Sequence, residues 1–103
     1  MSDTKSITHR SMEITAEQIK SARAALGLTT KSVSDATDIG LATLKRYEAS
    51  TGVPKSRKGH LAALRQFFEA SGIEFIGTAE EGPGIRLWKE GRRSAEDAAP
   101  GSA

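Results

Sequence analysis

Residues 15–48, TAEQIKSARAALGLTTKSVSDATDIGLATLKRYE, contain three helix starts and two helix stops, which leaves the chain little choice but short helices folded back on one another. The first segment, TAEQIKSARAALG, opens on Thr15, whose side chain can cap a helix, and carries Gln18 three residues later. It places Ile19, Ala22, Ala25 and Leu26 at helical spacing and stops at Gly27. TTKSVSDAT follows after a two-residue connection, with Thr29 or Thr30 as cap and with Val33 and Ala36 facing inward. Asp38 adopts a turn conformation more readily than most residues, Ile39 is expected as a buried plug, and Gly40 can open a third helix over GLATLKRYE.

Beyond this run, STGVPKSR contains Gly52 and Pro54 and reads as a loop. KGHLAALRQFFEASG then places Leu61, Leu64, Phe67 and Phe68 along one side and ends at Gly72, which predicts a fourth helix. IEFIG and GIRLW alternate or nearly alternate apolar and polar residues around the turn-rich TAEEGPG, the pattern of a β-hairpin. A two-stranded ribbon alone is marginal in water. Ile73, Phe75, Ile85, Leu87 and Trp88 must therefore pack on the helices or pair with a second chain, which makes them the expected dimer interface. The fold class that follows is mainly α: a four- to five-helix domain over residues 14–72 with a C-terminal β-hairpin over 73–89. Residues 1–13 are polar and aperiodic and read as a flexible arm, and residues 90–103, ending in GRRSAEDAAPGSA, read as a disordered tail.

Composition narrows the function. At 103 residues there is room for one modest core, and 37% hydrophobic with 27% charged residues fits a soluble globular protein. No run approaches the roughly 18 apolar residues of a membrane span. MSDTKSITHRSMEI also lacks the apolar segment of a secretory signal, so a cytoplasmic location and no membrane partner are expected. The absence of cysteine excludes disulfide frameworks, thiolate catalysis and cysteine-ligated zinc. His9 and His60 have no second ligand at metal spacing and read as surface histidines. Glu80 and Glu81 adjoin a Gly-Pro-Gly turn and read as solvated, and no nucleophile, base and orienting acid fall into a recognisable arrangement. Neither an enzyme nor a metal or other cofactor is expected.

The net charge of +2 is small, but it is unevenly distributed. Between Thr43 and Arg65 lie six cations, Lys45, Arg46, Lys55, Arg57, Lys58 and Arg65, and one acid, Glu48, a local charge of +5 that leaves −3 for the remainder. A basic segment within an otherwise acidic domain suits electrostatic docking. Spaced at 100° per residue, Leu44 and Tyr47 share one side of the third helix with Thr43 and Gly40 nearby. Ala42, Lys45, Arg46 and Ala49 fall opposite, with Leu41 and Glu48 on a flank. Two small residues and two cations suit a DNA major groove, where Arg and Lys reach guanine O6 and N7 and small apolar groups meet thymine methyls. An ordinary solvated helix face is the plain alternative.

The order of elements adds to this. IKSARAALGLTTKSVSDATDIGLATLKRYE, residues 19–48, resembles the helix-turn-helix of the phage-repressor-like transcriptional regulators of the Cro/C1, or xenobiotic-response-element, type. The resemblance is carried by Arg23 four residues before Gly27, GLT opening the second helix, Ala36 within it, Ile39 in the turn, TL inside the third helix and Glu48 at its end. It extends through ASTGVPKSRKGHLAALRQFFEASGIEFIG and GPGIRLW, so that it covers residues 14–88. The family often has Gln where this chain has Thr30, and Ser where it has Gly40, so the operator sequence does not transfer.

The resemblance implies a bacterial or phage DNA-binding transcriptional regulator with double-stranded DNA as partner; the marginal hairpin makes a dimer on an inverted repeat the expectation, and the small size of the chain makes repression by occupying a promoter the simplest action. Leu41, Ala42, Lys45 and Arg46 would read bases. Thr30, Lys31, Thr43, Lys55, Ser56, Arg57 and Lys58 would bind phosphate, and Arg23 and Glu48 would form a structural ion pair. Lys5, His9 and Arg10 could form an arm reaching a minor groove. Two rivals remain: the same fold as a protein-binding adaptor, an antitoxin or anti-activator with a second protein as partner, and a non-specific nucleoid or single-strand binder.

Overall fold

The computed structural model describes residues 13–88. The expected tail over 90–103, nearly all of the arm, and Lys5, His9 and Arg10 with it lie outside the described residues. The elements are α1 (Ala16–Leu26), α2 (Thr30–Thr37), α3 (Leu41–Ala49), α4 (His60–Ala70), β1 (Ile73–Ile76) and β2 (Gly84–Leu87). The described chain is thus mainly helical, four helices followed by one antiparallel hairpin. None of these helices is long and apolar enough to cross a membrane.

The helix ends follow from local chemistry. Thr15 caps α1 in a reciprocal box: its hydroxyl accepts from the Gln18 N–H at 3.1 Å, and Gln18 Oε1 accepts from the Thr15 N–H at 2.9 Å. Gly27 ends the helix with φ 70°, a conformation glycine adopts without a Cβ penalty, and Leu28 N–H closes back on the Arg23 carbonyl at 3.0 Å. Of the two threonines offered as cap for α2, it is Thr29 that receives the Ser32 N–H, at 3.0 Å. Asp38 ends α2 with φ 65° and is the only non-glycine with left-handed backbone among the described residues. Gly40 precedes α3 without a side-chain cap.

Ile14, Ile19, Ala22, Val33, Ile39, Leu44, Tyr47, Leu61, Leu64, Phe68 and Ile73 form one buried cluster. Leu26, Leu28, Phe67, Phe75 and Ile85 pack against it. Two inward assignments are corrected. Ala36 is exposed, and Ser34 takes the buried position of α2 because its hydroxyl donates to the Ile39 carbonyl and so carries no unmet polar atom inward. Ala25 is exposed as well, and α1 buries Ala16, Gln18, Ile19 and Ala22 instead.

The strands pair antiparallel with Ile73 opposite Leu87, Glu74 opposite Arg86, Phe75 opposite Ile85 and Ile76 opposite Gly84. The hairpin lies across the helices, β2 on α1 and β1 on α4. Gln18 fastens it: the same amide that caps α1 donates to the Ile76 carbonyl at 3.1 Å and to the Gly84 carbonyl at 2.9 Å. At the turn, Gly77 has φ 76° and a Cβ there would run into the Gly82 carbonyl oxygen. Ile73, expected at a dimer interface, is only 2% exposed and belongs to the chain's own core. Of the rest of that set, Phe75 and Ile85 are half-buried against the core, whereas Leu87 is 45% exposed. Trp88 is half-buried, its indole N–H donating to Glu74 Oε1 at 2.8 Å and its ring lying under Arg86.

Candidate nucleic-acid interface

Helix α3 is fixed by its inner face. Leu44 and Tyr47 are buried among residues of α1 and α2, and Glu48 closes the helix onto α1. The Arg23 guanidinium grips that carboxylate with two bonds, Nε to Oε2 and Nη2 to Oε1, both 2.9 Å, and its Nη1 donates to the Leu28 carbonyl at 3.1 Å. This bidentate geometry is the strong form of a charge-assisted pair. The Glu48 hydrogen bonds and charge raise the Arg23 pKa above its already high ordinary value, so the guanidinium stays charged at any physiological pH.

The pairing also changes the surface. Glu48 is the single acid between Thr43 and Arg65, and it is buried and engaged inward. On the outer face Ala42, Lys45, Arg46 and Ala49 are exposed, Leu41 and Thr43 are partly so, and the Arg46 guanidinium lies over the Tyr47 ring, 5.8 Å from its centroid. Among the described residues Lys45, Arg46, Lys55, Arg57 and Lys58 have no acidic side chain within ion-pair distance. Five cations therefore stand unopposed, a desolvation-ready set for an anionic partner.

The loop that follows α3 is held at both ends. Its first half is tied to the start of α1: Ala16 N–H donates to the Gly52 carbonyl at 2.8 Å, and Gly52 N–H donates to Glu17 Oε1 at 3.2 Å. Pro54 is buried beside these contacts, and Lys55, Ser56, Arg57 and Lys58 are all exposed. Further on, the Tyr47 hydroxyl accepts from the Arg57 N–H at 3.1 Å and bonds His60 Nδ1 at 2.7 Å. His60 is thus no free surface histidine but a half-buried partner of α3, its ring edge-on to Tyr47 at 5.8 Å. Sequence reasoning missed this pair because Tyr47 fits the apolar side of α3 by spacing alone. The signal available was chemical: a buried tyrosine needs a partner for its hydroxyl.

Arg46 and Arg57 are brought together around Tyr47 in this way. Thr30 and Lys31 stand apart at the start of α2, where Thr30 is half-buried and Lys31 pairs with Asp35 at 3.2 Å. Both side chains of that pair are about two-thirds exposed, at 69% and 65%, so the contact is weak and Lys31 can leave it for another anion. A cleft of about 600 Å³ adjoins the loop, lined by Arg57, Lys58 and Arg65, by Leu61, and by the acids Glu13 and Glu69. Among the described residues no three His, Asp or Glu side chains converge as a metal site requires. Comparison with known protein families, with curated proteins and with solved structures finds no match to this chain.

Proposed function

We propose that the chain is a sequence-specific double-stranded DNA-binding regulator in which α2, the turn through Asp38 and α3 act as a helix-turn-helix, with α3 entering the major groove. The observation that carries this reading is the outer face of α3: two small residues and two unpaired cations on a helix whose inner face and last turn are locked to α1 and α2. A rigid helix with small and cationic outward residues can lie closely against base edges in the major groove. Ala42, Lys45 and Arg46, with Leu41 at the flank, would read bases. Lys55, Ser56, Arg57 and Lys58 on the loop, with Thr43 and the start of α2 at Thr30 and Lys31, would follow the phosphates. Two copies joined through the hairpin, at Leu87, Trp88 and the neighbouring Phe75 and Ile85, would read half-sites about 34 to 36 Å apart and repress by occupying a promoter. Light scattering of the chain on its operator at micromolar concentration should give a dimer, and a monomer there would remove the two-half-site arrangement.

The test of the reading is selection of bound fragments from sheared genomic DNA of the source organism, at low and near-physiological salt. A few promoter fragments sharing an inverted repeat and persisting at the higher salt are expected. Recovery of every fragment at low salt alone would identify a non-specific binder. Arg46→Ala and Lys45→Ala should each narrow the gap between selected and random duplex by about 1 to 3 kcal/mol. Arg57→Ala should weaken both duplexes alike and make the salt dependence shallower by about one unit of slope. Identical effects of all three substitutions on selected and random DNA would contradict the division into reading helix and phosphate loop.

One observation favours an adaptor as second reading. An open groove between α2 and α4 is lined by Ala36, Thr37, Ala63, Gln66, Phe67 and Ala70, small and apolar enough to receive a partner's side chains. Recovery of a stoichiometric protein partner together with failure to retain any duplex would favour it.

A further inference from the structure

We infer that the Tyr47 hydroxyl is a positioning group for phosphate binding, holding the basic loop at a set angle to α3; this rests on the DNA-binding reading above. Tyr47 is 1% exposed, and its ring serves the core as a phenylalanine would. The hydroxyl adds nothing to that packing. Its bonds go instead to the Arg57 N–H at 3.1 Å and to His60 Nδ1 at 2.7 Å, and the Arg57 carbonyl accepts in turn from the His60 N–H at 3.0 Å. One oxygen thus joins three elements: the last turn of α3, the middle of the loop and the first residue of α4. The Arg57 amide can only donate, so the phenol oxygen accepts there.

The latch matters because of what surrounds it. Residues 55–59 are exposed without interruption, and the fixed points at Gly52 and Pro54 lie on the near side of them. Through Tyr47 the cations of the loop and the cations of α3 are placed by the same side chain, since Arg46 rests on the ring whose hydroxyl holds Arg57. A loop ordered before contact does not lose that conformational freedom on binding, and the gain is the same for every duplex sequence. Tyr47 accordingly tunes affinity and leaves preference to α3.

Tyr47→Phe keeps the buried ring and removes the latch, so the full-length variant folds and can be compared with its parent. Amide hydrogen exchange of the free protein should be about five- to tenfold faster at Arg57 and unchanged at Leu44 in the core, as loss of one local hydrogen bond implies. Binding to the selected genomic fragment and to a random-sequence duplex should weaken by the same factor, about three- to tenfold, at an unchanged salt slope, because the loop still meets the same phosphates once bound. A merely structural role would speed exchange at Leu44 as well as at Arg57. Unchanged exchange at Arg57, or faster exchange there with unchanged affinity, overturns the inference. A parent chain that retains no duplex at all overturns the DNA-binding reading and this role together, which separates the two failures.

Discussion

Arg23→Ala should destabilise the domain by about 3 to 4 kcal/mol, clearly more than Glu48→Ala, although both substitutions cut the same ion pair. The asymmetry comes from what each leaves behind. Without Arg23, a carboxylate only 9% exposed loses both donors at once. Without Glu48, the guanidinium is 25% exposed, meets water, and keeps its bond to the Leu28 carbonyl. For Glu48→Ala about 2 kcal/mol is therefore expected, the loss of two charge-assisted bonds offset by rehydration. In a domain of this size 3 to 4 kcal/mol corresponds to roughly 15 to 25 °C of midpoint, readily seen by thermal unfolding followed by circular dichroism. Because the folded-state pKa of Arg23 is raised, its contribution is fully present below the unfolded value and is lost only in strong alkali. The midpoint gap between parent and Arg23→Ala should hold steady across roughly pH 6 to 9, well below the unfolded arginine value. Equal losses for the two substitutions would mean that the pair is solvated in solution and that α3 is held by Leu44 and Tyr47 alone.

Phe68→Ala is expected to cost about 3 to 5 kcal/mol. Its ring is fully buried where α4 meets the hairpin, 5.2 Å from Phe67 and 6.2 Å from Phe75 between centroids. Truncation opens a cavity that those two rings, themselves on the edge of the core, cannot both fill. A total stability of about 5 to 15 kcal/mol leaves little margin for such a loss. The hairpin, too small to hold on its own, should loosen first. Urea unfolding with Trp88 fluorescence set against far-ultraviolet circular dichroism distinguishes the outcomes. Earlier loss of the Trp88 signal is expected, and coincident transitions with an unchanged midpoint would show that β1 draws its support elsewhere. The main packing partners of α3 are α1 and α2, so duplex preference should survive in the molecules that remain folded.

Local signals in the sequence proved sufficient where the chemistry itself is local. The Thr15 and Gln18 cap, the stops at Gly27 and Asp38, and the burial of Ile39 depend on neighbours within a few residues, and each is found as read. The outer face of α3 was equally legible, because a helix with Leu44 and Tyr47 inward has to show Ala42, Lys45 and Arg46. Ala36 was misread because spacing ranks a small apolar residue above serine, while the turn supplied Ser34 with the acceptor that lets it go inside. Ile73 was given to a partner because strand alternation cannot say which apolar positions the helices reach. The Tyr47 and His60 pair, 13 residues apart, and the second bonds of Gln18, 58 and 66 residues away, depend on how elements dock, which no periodicity carries.

Gln18 has a consequence for how the protein is made. A ribosome delivers α1 first, yet the carbonyls that complete the bonding of its cap residue lie 58 and 66 residues downstream. At about 5 to 20 residues per second, that stretch takes roughly 3 to 13 s to synthesise. Throughout this interval the amide is served by water and the early helices have no lid. The native state is thus sealed late, by one side chain near the beginning closing on strands near the end, and a nascent chain paused before Gly84 would remain open to proteases and to premature pairing with its neighbours on the same message.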